Sequence, residues 1–196
     1  MRVYLASWFE SKEERKKERQ TLLDAGIECT ASWLDEKPFS ETQEYSENDA
    51  NKNAAFAKFL AATADLDVAD AVRADVVVCF TTDRNLTDRA HTGGRHFESG
   101  IAYGVMLVGL ALRMMGSPSW IRPIRLITVG PKENVFHHLP RILNFPTWEE
   151  ALVWLKAYKP DVDELDECLA KGIADGSMTE GAVCMAENLK VSTTVN

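Results

Sequence analysis

The sequence predicts an α/β protein, a parallel sheet of five strands with helices on both faces and a helical extension at its C-terminal end. Short apolar runs rich in β-branched residues, typical of strands buried on both faces of a sheet, alternate with longer segments of helical period. The chain of 196 residues is long enough to bury on the order of 70% of its unfolded surface. A core of that size needs neither disulfides nor a metal ion.

The chain opens with the pattern of a β-α-β unit. The run VYLASW predicts the first strand, and IECTAS predicts the second. Between them a helix is predicted over Lys12–Ala25, started by a capping box of Ser11 and Glu14 and ended at Gly26. Because two parallel strands joined through a helix cross over in a right-handed sense, we expect them to lie in one parallel sheet.

The following residues, as far as 158, continue this alternation. In order, they predict a long loop at 33–51, short helices at 54–62 and 66–73, the strand DVVVCF, a polar loop at 81–94, a helix at 95–115, the strands IRLITVG and ILNF, and a helix at 148–158 started by Thr147. Five strands so arranged predict a doubly wound sheet of the flavodoxin or Rossmann type, in the order 2-1-3-4-5. We therefore expect one α/β domain over residues 1–158.

Residues 159–196 differ in composition from that domain. They carry eight acidic and three basic residues, which accounts for most of the net charge of −8. Weak amphipathic patterns near 163–174 and 179–189 predict two helices, and 191–196 are expected to be disordered. We predict an acidic helical extension that packs on the domain or on another subunit.

Charge and composition argue against several classes of function. A negative net charge disfavours a nucleic acid polymer as partner, because such binding relies on basic side chains that release counterions. The longest apolar stretch, 101–115, falls short of the roughly 20 residues of a membrane span, and the first residues show no signal peptide, so we expect a cytoplasmic protein. Widely spaced cysteines and the lack of an HExxH spacing give no indication of a metal or another cofactor.

The candidate functional site is the crevice at the carboxyl ends of the first and third strands. Ligands of doubly wound sheets bind where the strand order reverses, which is expected between these two strands. Gly93 and Gly94 precede the predicted helix, and the exposed amides of a helix start favour an anion. Glu98 is expected in the first turn, where the helix dipole helps to keep a carboxylate ionised. Glu98 is therefore either a nucleophile or an exposed partner of the dipole.

Four segments together resemble one enzyme family. They are VYLASWF, DVADAVRADVVVCF, GGRHFESGIAYG and VGPKENVFHHLPRILNFPTWEEAL. Over roughly residues 1–158 the chain resembles the nucleoside 2-deoxyribosyltransferases. The resemblance implies that Glu98 attacks the anomeric carbon and holds the sugar as an ester, that Asp67 contacts the base and helps to protonate it, and that Tyr4 holds the nucleophilic carboxylate in place.

The resemblance also implies a homo-oligomer, a dimer or larger. Asn134, in KENVF, looks like the residue that in that family reaches the substrate of the neighbouring subunit. The implied small-molecule partners are a nucleoside or nucleotide and a free nucleobase. Two of these residues have structural alternatives. Tyr4 also fits the role of an ordinary aromatic residue in a strand, and Asn134 also fits the role of a residue that caps a helix. Asp67 competes with Asp65 and Asp70, and only its spacing to the third strand selects it.

The glycine segment departs from the deoxyribosyltransferase pattern. Thr92 stands where transferases of free nucleosides often have an Asp, and the Gly-Gly-Arg-His run is more similar to relatives that hydrolyse nucleoside 5′-monophosphates. Thr92, the amides of Gly93 and Gly94, and Arg95 are therefore candidates for a phosphate site, because Arg offers a planar fork of donors. The alternative for Arg95 is an exposed residue at the helix start.

Three residues near the crevice complete the candidate binding site. They are Ser7 and Trp8, which end the first strand, and Trp33, which follows the second. The two Trp rings either stack on the base, form the wall of the site, or belong to the core.

The expected function is cleavage of an N-glycosidic bond and transfer of the 2-deoxyribosyl group to another base, through an ester on Glu98. Two alternatives stay open: hydrolysis of deoxynucleoside 5′-monophosphates, and a non-catalytic nucleotide sensor on the same scaffold. A phosphoribohydrolase of the cytokinin-activating type is less favoured, because Arg95 and His96 stand where its pattern has a further Gly and Thr.

Overall fold

One parallel sheet organises the protein, whose computed structural model describes residues 1–36, 50–81, 93–114, 124–132, 135–139 and 141–160. The strands are β1 (Arg2–Ala6), β2 (Glu28–Cys29), β3 (Val76–Phe80), β4 (Arg125–Val129) and β5 (Leu143–Phe145). Each strand pairs in parallel with its neighbour, in the order β2-β1-β3-β4-β5. The predicted α/β fold and strand order are confirmed.

Helices flank the sheet on both faces. They are α1 (Lys12–Asp24), α2 (Ala50–Arg73), α3 (Gly93–Met114) and α4 (Trp148–Ala157), and 3-10 helices lie at Phe9–Ser11, Ser32–Asp35 and Val135–His138. Among the helices of the described ranges, none combines the length and the apolarity that a bilayer crossing requires. Most of the two predicted loops, 37–49 and 82–92, and the predicted extension from residue 161 onward lie outside the described residues.

The core lies on both faces of β3, which pairs with β1 on one side and with β4 on the other. Its residues Val76–Val78 are fully buried, as a β-branched run between two helical layers must be. Successive side chains of a strand point to opposite faces, so the register Tyr4↔Val77 puts Tyr4 and Phe80 on opposite faces. Phe80 packs against Trp148 of α4, whereas Tyr4 contacts α3.

Two predicted elements are wrong in extent. The short helices at 54–62 and 66–73 are parts of the single helix α2, because residues 63–65 between them include no Gly or Pro that would interrupt it. Strand β2 is shorter than IECTAS, because the chain enters a 3-10 helix at Ser32, whose amide bonds to Asp70 of α2 instead of to a strand.

The predicted helix ends are confirmed at Gly26 and Thr147, whereas the predicted cap at Ser11 is wrong. Gly26 follows the last turn of α1 with φ of +73°, a conformation that favours glycine. Thr147 caps α4, and its side chain accepts a hydrogen bond from the amide of Glu150 at 3.3 Å. Helix α1 starts at Lys12 as predicted, but Ser11 makes no side-chain cap; its hydroxyl donates to the main-chain oxygen of Trp8 at 2.8 Å.

Gly130, directly after β4, is expected to tolerate no side chain. Its φ is +109°, and a Cβ there would lie 2.6 Å from the main-chain oxygen of Thr81. Gly130→Ala should lower the free energy of unfolding by about 2 kcal/mol or more, through backbone strain and this clash, as urea unfolding would measure.

Gly104→Ala is the matched control for Gly130→Ala. Gly104 lies inside α3, and no described atom lies within 4 Å of a Cβ at that position. Alanine forms helices better than glycine, so this variant should be at least as stable as the wild type. A Gly130→Ala protein with the same urea midpoint as Gly104→Ala would contradict the close approach of Gly130 and Thr81.

Candidate active site

Three elements bring Tyr4, Asp67 and Glu98 together on one face of the sheet. Tyr4 belongs to β1, Asp67 to α2 and Glu98 to α3. The Tyr4 hydroxyl donates a hydrogen bond to Glu98 Oε1 at 2.7 Å. Tyr4 is fully buried and Glu98 is 9% exposed, and the Asp67 carboxyl is close enough to act electrostatically on both. The three residues that the resemblance selects as catalytic thus share one buried site.

Helical periodicity explains how two carboxyl groups enter the core. Along α3, Glu98 is followed at intervals of four residues by Ala102 and Met106, which are both fully buried. Glu98 therefore lies on the stripe of α3 that faces the sheet. Along α2, Asp67 lies four residues before the fully buried Ala71. Each carboxyl thus shares its helix face with buried apolar side chains, and also with one other buried charged residue, Arg95 on α3 and Asp70 on α2.

One oxygen of each carboxyl is buried without a hydrogen-bond partner among the described residues. These atoms are Glu98 Oε2 and Asp67 Oδ1. A buried polar atom that lacks a partner costs about 1–3 kcal/mol, so folded proteins rarely keep one without a reason. The other oxygen of Glu98 is occupied by Tyr4, which leaves Oε2 as the atom that a bound substrate would meet.

Burial makes both carboxyl groups weaker acids than usual. It raises the pKa of Glu98 to about 7; the nearby Asp67 adds to this effect, and the bond from Tyr4 opposes it. Burial also raises the pKa of Asp67 to about 6, with further increases from the charges of Glu36 and Asp70 and an opposing effect of the Tyr4 hydroxyl. Near neutral pH, the site can therefore hold one ionised and one protonated carboxyl.

Tyr4 acts as a fixed hydrogen-bond donor. Burial raises the pKa of its phenol far above the usual value of 10.0, and the carboxyl groups of Glu98, Asp67 and Asp70 raise it further. The phenol therefore stays protonated at any pH at which the protein is folded. This settles the direction of the bond, in which Tyr4 donates and Glu98 accepts.

Helix α3 starts two residues earlier than predicted, at Gly93. Gly93 and Gly94 thus lie in its first turn rather than in a loop before it, and Glu98 lies in the second turn. The side chain of Arg95 holds this first turn against the end of β3, because its Nη1 donates to the main-chain oxygen of Phe80 at 3.0 Å. The expectation that the helix dipole keeps Glu98 ionised is wrong, since burial has the larger effect and raises its pKa.

Arg95 is buried, so its alternative interpretation as an exposed helix-start residue is wrong. It is 4% exposed, and its guanidinium carbon lies 4.9 Å from the centroid of the Trp8 ring. Trp8 is itself buried. A fixed cation therefore lies beside the first turn of α3, at the place where a phosphate was expected.

The remaining aromatic residues divide between core and surface. Trp33 belongs to the core, where its Nε1 donates to the main-chain oxygen of Leu5 at 2.9 Å. Phe9, which the sequence analysis missed, lies against Trp33 with 6.3 Å between ring centroids and is 36% exposed. Its position directly after the candidate residues Ser7 and Trp8 was the feature of the sequence that could have identified it. Phe9 is thus the accessible ring beside the buried Trp33.

Ser7 is tied to the 3-10 helix that follows β1. Its hydroxyl oxygen lies 2.7 Å from that of Ser11. Because Ser11 uses its proton on the main-chain oxygen of Trp8, Ser7 is the donor in this pair. The lone pairs of the Ser7 hydroxyl are the part of this side chain that a substrate could use.

Two candidate residues, Thr92 and Asn134, lie outside the described residues, so their roles stay predictions. In the part of the chain that the structure describes, no three His, Cys, Asp or Glu side chains form a group that could hold a metal ion. Cys29 is a free thiol, and burial raises its pKa.

A cavity of about 460 Å³ lies along another side of α3. Its described lining residues are His96, Ser99, Gly100, Tyr103, Leu126, His137 and Ile142. Positions 96, 99, 100 and 103 form one helical stripe, and Glu98 lies on a different one. The cavity is therefore separate from the two carboxyl groups.

The chain matches no family model, and no curated protein matches it. Among solved structures it is similar to a CMP N-glycosidase of Clostridium botulinum, with 16% sequence identity and a TM-score of 0.40. The alignment covers 81% of this chain and 100% of that chain. A function for this protein therefore has to rest on the geometry of its own residues.

Burial of Glu98 should make the folded protein less stable as the pH rises. Folding raises the pKa of Glu98 from 4.5 to about 7, so the folded state binds a proton at Glu98 more tightly than the unfolded state does. The resulting contribution to the free energy of unfolding is fully present below the unfolded pKa and is lost as the pH rises toward the folded pKa. Glu98→Gln removes this dependence. As the pH is raised from about 5 to about 8, the free energy of unfolding of the variant should increase relative to that of the wild type by on the order of 2 kcal/mol. Urea unfolding at both pH values measures this, and parallel pH dependences would contradict it.

Proposed function

We propose that the protein cleaves the N-glycosidic bond of a 2′-deoxynucleoside, or of its 5′-monophosphate, and transfers the 2-deoxyribosyl group to another base. One observation carries this proposal: the buried Glu98 has one oxygen held by Tyr4 and the other without a partner among the described residues, beside a second carboxyl of raised pKa. A carboxylate nucleophile and a carboxylic acid are the two groups that a retaining glycosyl transfer needs.

In the first step, Glu98 Oε2 attacks C1′ of the sugar while the bond from C1′ to the base nitrogen breaks. The electron pair of that bond leaves with the base, which takes a proton from the Asp67 carboxyl. The ionised Glu98 stabilises the positive charge that develops at C1′ and then forms an ester with it. Tyr4 holds Oε1 throughout and so fixes the direction in which Oε2 points.

In the second step, a nitrogen of an incoming base attacks C1′ from the side that the first base left. Its proton passes to the Asp67 carboxylate, and the bond from C1′ to Glu98 breaks with its electron pair returning to the carboxylate. Two inversions at C1′ give net retention of configuration. Both carboxyl groups return to their starting protonation states, so one site serves the two half-reactions.

Hydrolysis of deoxynucleoside 5′-monophosphates is the second candidate function. It is favoured by Arg95, a buried cation beside the first turn of α3, because a cation and helix-start amides together suit a phosphate. In this case water takes the place of the incoming base in the second step. A third outcome, binding without turnover, would make the protein a nucleotide sensor.

A homo-oligomer, a dimer or larger, is part of the same proposal. Among the described side chains of α2 and α3, five large apolar ones are exposed: Leu60, Leu66, Val72, Phe97 and Val108. Covering such side chains with a second copy of the chain would be favourable. Leu66 and Phe97 directly precede Asp67 and Glu98 in sequence, so a contact there would lie close to the site. Asn134 would then complete the site of the neighbouring subunit.

Chromatography of 2′-deoxynucleosides and their 5′-monophosphates tests the function, with and without an excess of a second free base. A new nucleoside that forms only when the base is added identifies transfer, whereas free base and sugar phosphate identify hydrolysis. Glu98→Ala should lower either rate by about 10³-fold or more, because the ester cannot form.

Glu149→Gln is the matched control for this experiment, because Glu149 is an exposed carboxylate of α4 and should not affect the rate. Turnover that survives Glu98→Ala would refute the mechanism. A wild-type protein that binds nucleotides but never turns them over would replace the enzyme with the sensor.

The rate should have its optimum between about pH 6 and pH 7, because the pKa of Asp67 is about 6 and that of Glu98 is about 7. Below both values both carboxyls are protonated, and above both values both are ionised, so kcat/KM falls on either side. Tyr4→Phe removes a bond that lowers the pKa of Glu98, so the optimum should move to higher pH. The lost bond should also lower kcat by about tenfold or more. A Tyr4→Phe profile that overlays the wild-type profile would exclude this role of the phenol.

A further inference from the structure

Asp70 is a buried carboxylate of α2 that the reaction steps above do not use. It is 5% exposed and lies one helical turn after Asp67. Its Oδ2 accepts a hydrogen bond from the amide of Ser32 at 2.9 Å, and its Oδ1 accepts one from Arg73 Nη2 at 2.8 Å. Its main-chain oxygen also accepts from the Thr30 hydroxyl at 2.9 Å. Asp70 therefore joins α2 to residues 30–32 through two separate bonds.

The same segment is bonded to β1 on its other side. Trp33, next to Ser32, donates from Nε1 to the main-chain oxygen of Leu5 at 2.9 Å. Leu5 follows Tyr4, whose hydroxyl holds Glu98. The 3-10 helix Ser32–Asp35 thus connects the helix of Asp67 to the strand of Tyr4, with one bond to each.

We propose that Asp70 is a positioning residue for departure of the base: through Ser32 and Trp33 it fixes the turn of α2 that carries Asp67 relative to β1 and Tyr4. This inference rests on the proposed function, because it assigns a positioning residue to Asp67, the acid of that reaction. The acid must lie within hydrogen-bond reach of the leaving nitrogen while Glu98 attacks from the opposite side. An error of about 1 Å in such an alignment is enough to lower a rate by on the order of a hundredfold.

The charge of Asp70, like its hydrogen bonds, supports the role of Asp67 as the proton donor. The groups that face Asp67 are Tyr4 from β1, Glu98 from α3, Glu36 after the 3-10 helix, and Asp70 from its own helix. The charges of Glu36 and Asp70 both raise the pKa of Asp67, which favours the protonated form that a proton donor needs. Asp70→Asn therefore weakens the positioning and removes one of these charges.

The test measures kcat, KM and the pH profile of Asp70→Asn on two substrates. One is the 2′-deoxynucleoside that the wild type cleaves best, and the other is the ring-N-methylated cation of that nucleoside, whose base leaves as a neutral molecule without a proton donor. For the first substrate, kcat should fall about tenfold with little change in KM, because part of a general-acid contribution is lost. The cation should react within about twofold of the wild-type rate, and the optimum for the first substrate should move to lower pH.

Asp35→Asn is the matched control. Asp35 belongs to the same 3-10 helix and pairs with Arg19 at 2.8 Å, but its side chain is 69% exposed. This variant removes the same charge without touching Asp70, and both substrates should keep their wild-type rates.

Ser32→Pro separates the hydrogen bond from the charge, and it keeps the test decisive if Asp70→Asn does not fold. Ser32 is the first residue of the 3-10 helix, where proline is tolerated, and the change removes the amide that Asp70 accepts from, together with the hydroxyl of this exposed side chain. We expect a lower kcat for the nucleoside, an unchanged rate for the cation and an unchanged pH optimum.

Equal losses on the two substrates would show that Asp70 has only a structural role, and no loss on either would show that it has none in the reaction. Both results would overturn the inference while leaving the proposed function intact. A wild-type protein that cleaves neither substrate would instead refute the proposed function.

Discussion

The hydrogen bond from Tyr4 to Glu98 is the interaction on which the site depends. Burying a carboxyl group in an apolar layer is costly, and only a donor that cannot lose its own proton can offset part of that cost at every pH. Tyr4 meets this requirement because β1 lies between two other strands and its phenol is fully buried. The bond also joins a strand to a helix that lies 94 residues away in sequence. The packing of α3 on the sheet and the orientation of the Glu98 carboxyl are therefore set by the same bond.

Around this bond, the protein places two carboxyl groups in different surroundings. Glu98 is held by a donor and lies on the sheet-facing stripe of α3, whereas Asp67 lies among other acidic groups, Glu36 and Asp70. Burial and the nearby acidic groups raise the pKa of Asp67 to about 6, whereas burial raises the pKa of Glu98 to about 7 and the bond from Tyr4 opposes that increase. In the proposed reaction, the nucleophile is the carboxyl that Tyr4 holds and the acid is the one among acidic neighbours, so the reacting form carries its proton on Asp67 although Glu98 has the higher pKa.

Much of the fold and part of the site could be predicted from the sequence. The strand order, Gly26 and Thr147 follow from local patterns of apolar runs and turn or cap residues, and the structure confirms them. The continuity of α2 could have been read from the absence of Gly and Pro at 63–65, but the start of α3 at Gly93 could not, because a helix boundary depends on what the first turn contacts. The role of Asp70 was likewise invisible, because its partners are 38 and 40 residues away. The meeting of Tyr4, Asp67 and Glu98 came from a family resemblance, and no pattern of spacing would have supplied it.

The order of the site residues along the chain bears on how the protein is made. During synthesis Tyr4 and Asp67 leave the ribosome well before Glu98, and β3 is complete before α3 begins. The two strands of the β1–β3 pair, and the phenol that holds Glu98, therefore all precede Glu98 in the chain. Of the three site residues, Glu98 is the last to be synthesised. Under the proposed function, a chain interrupted before α3 would lack the nucleophile and could carry out neither half of the reaction.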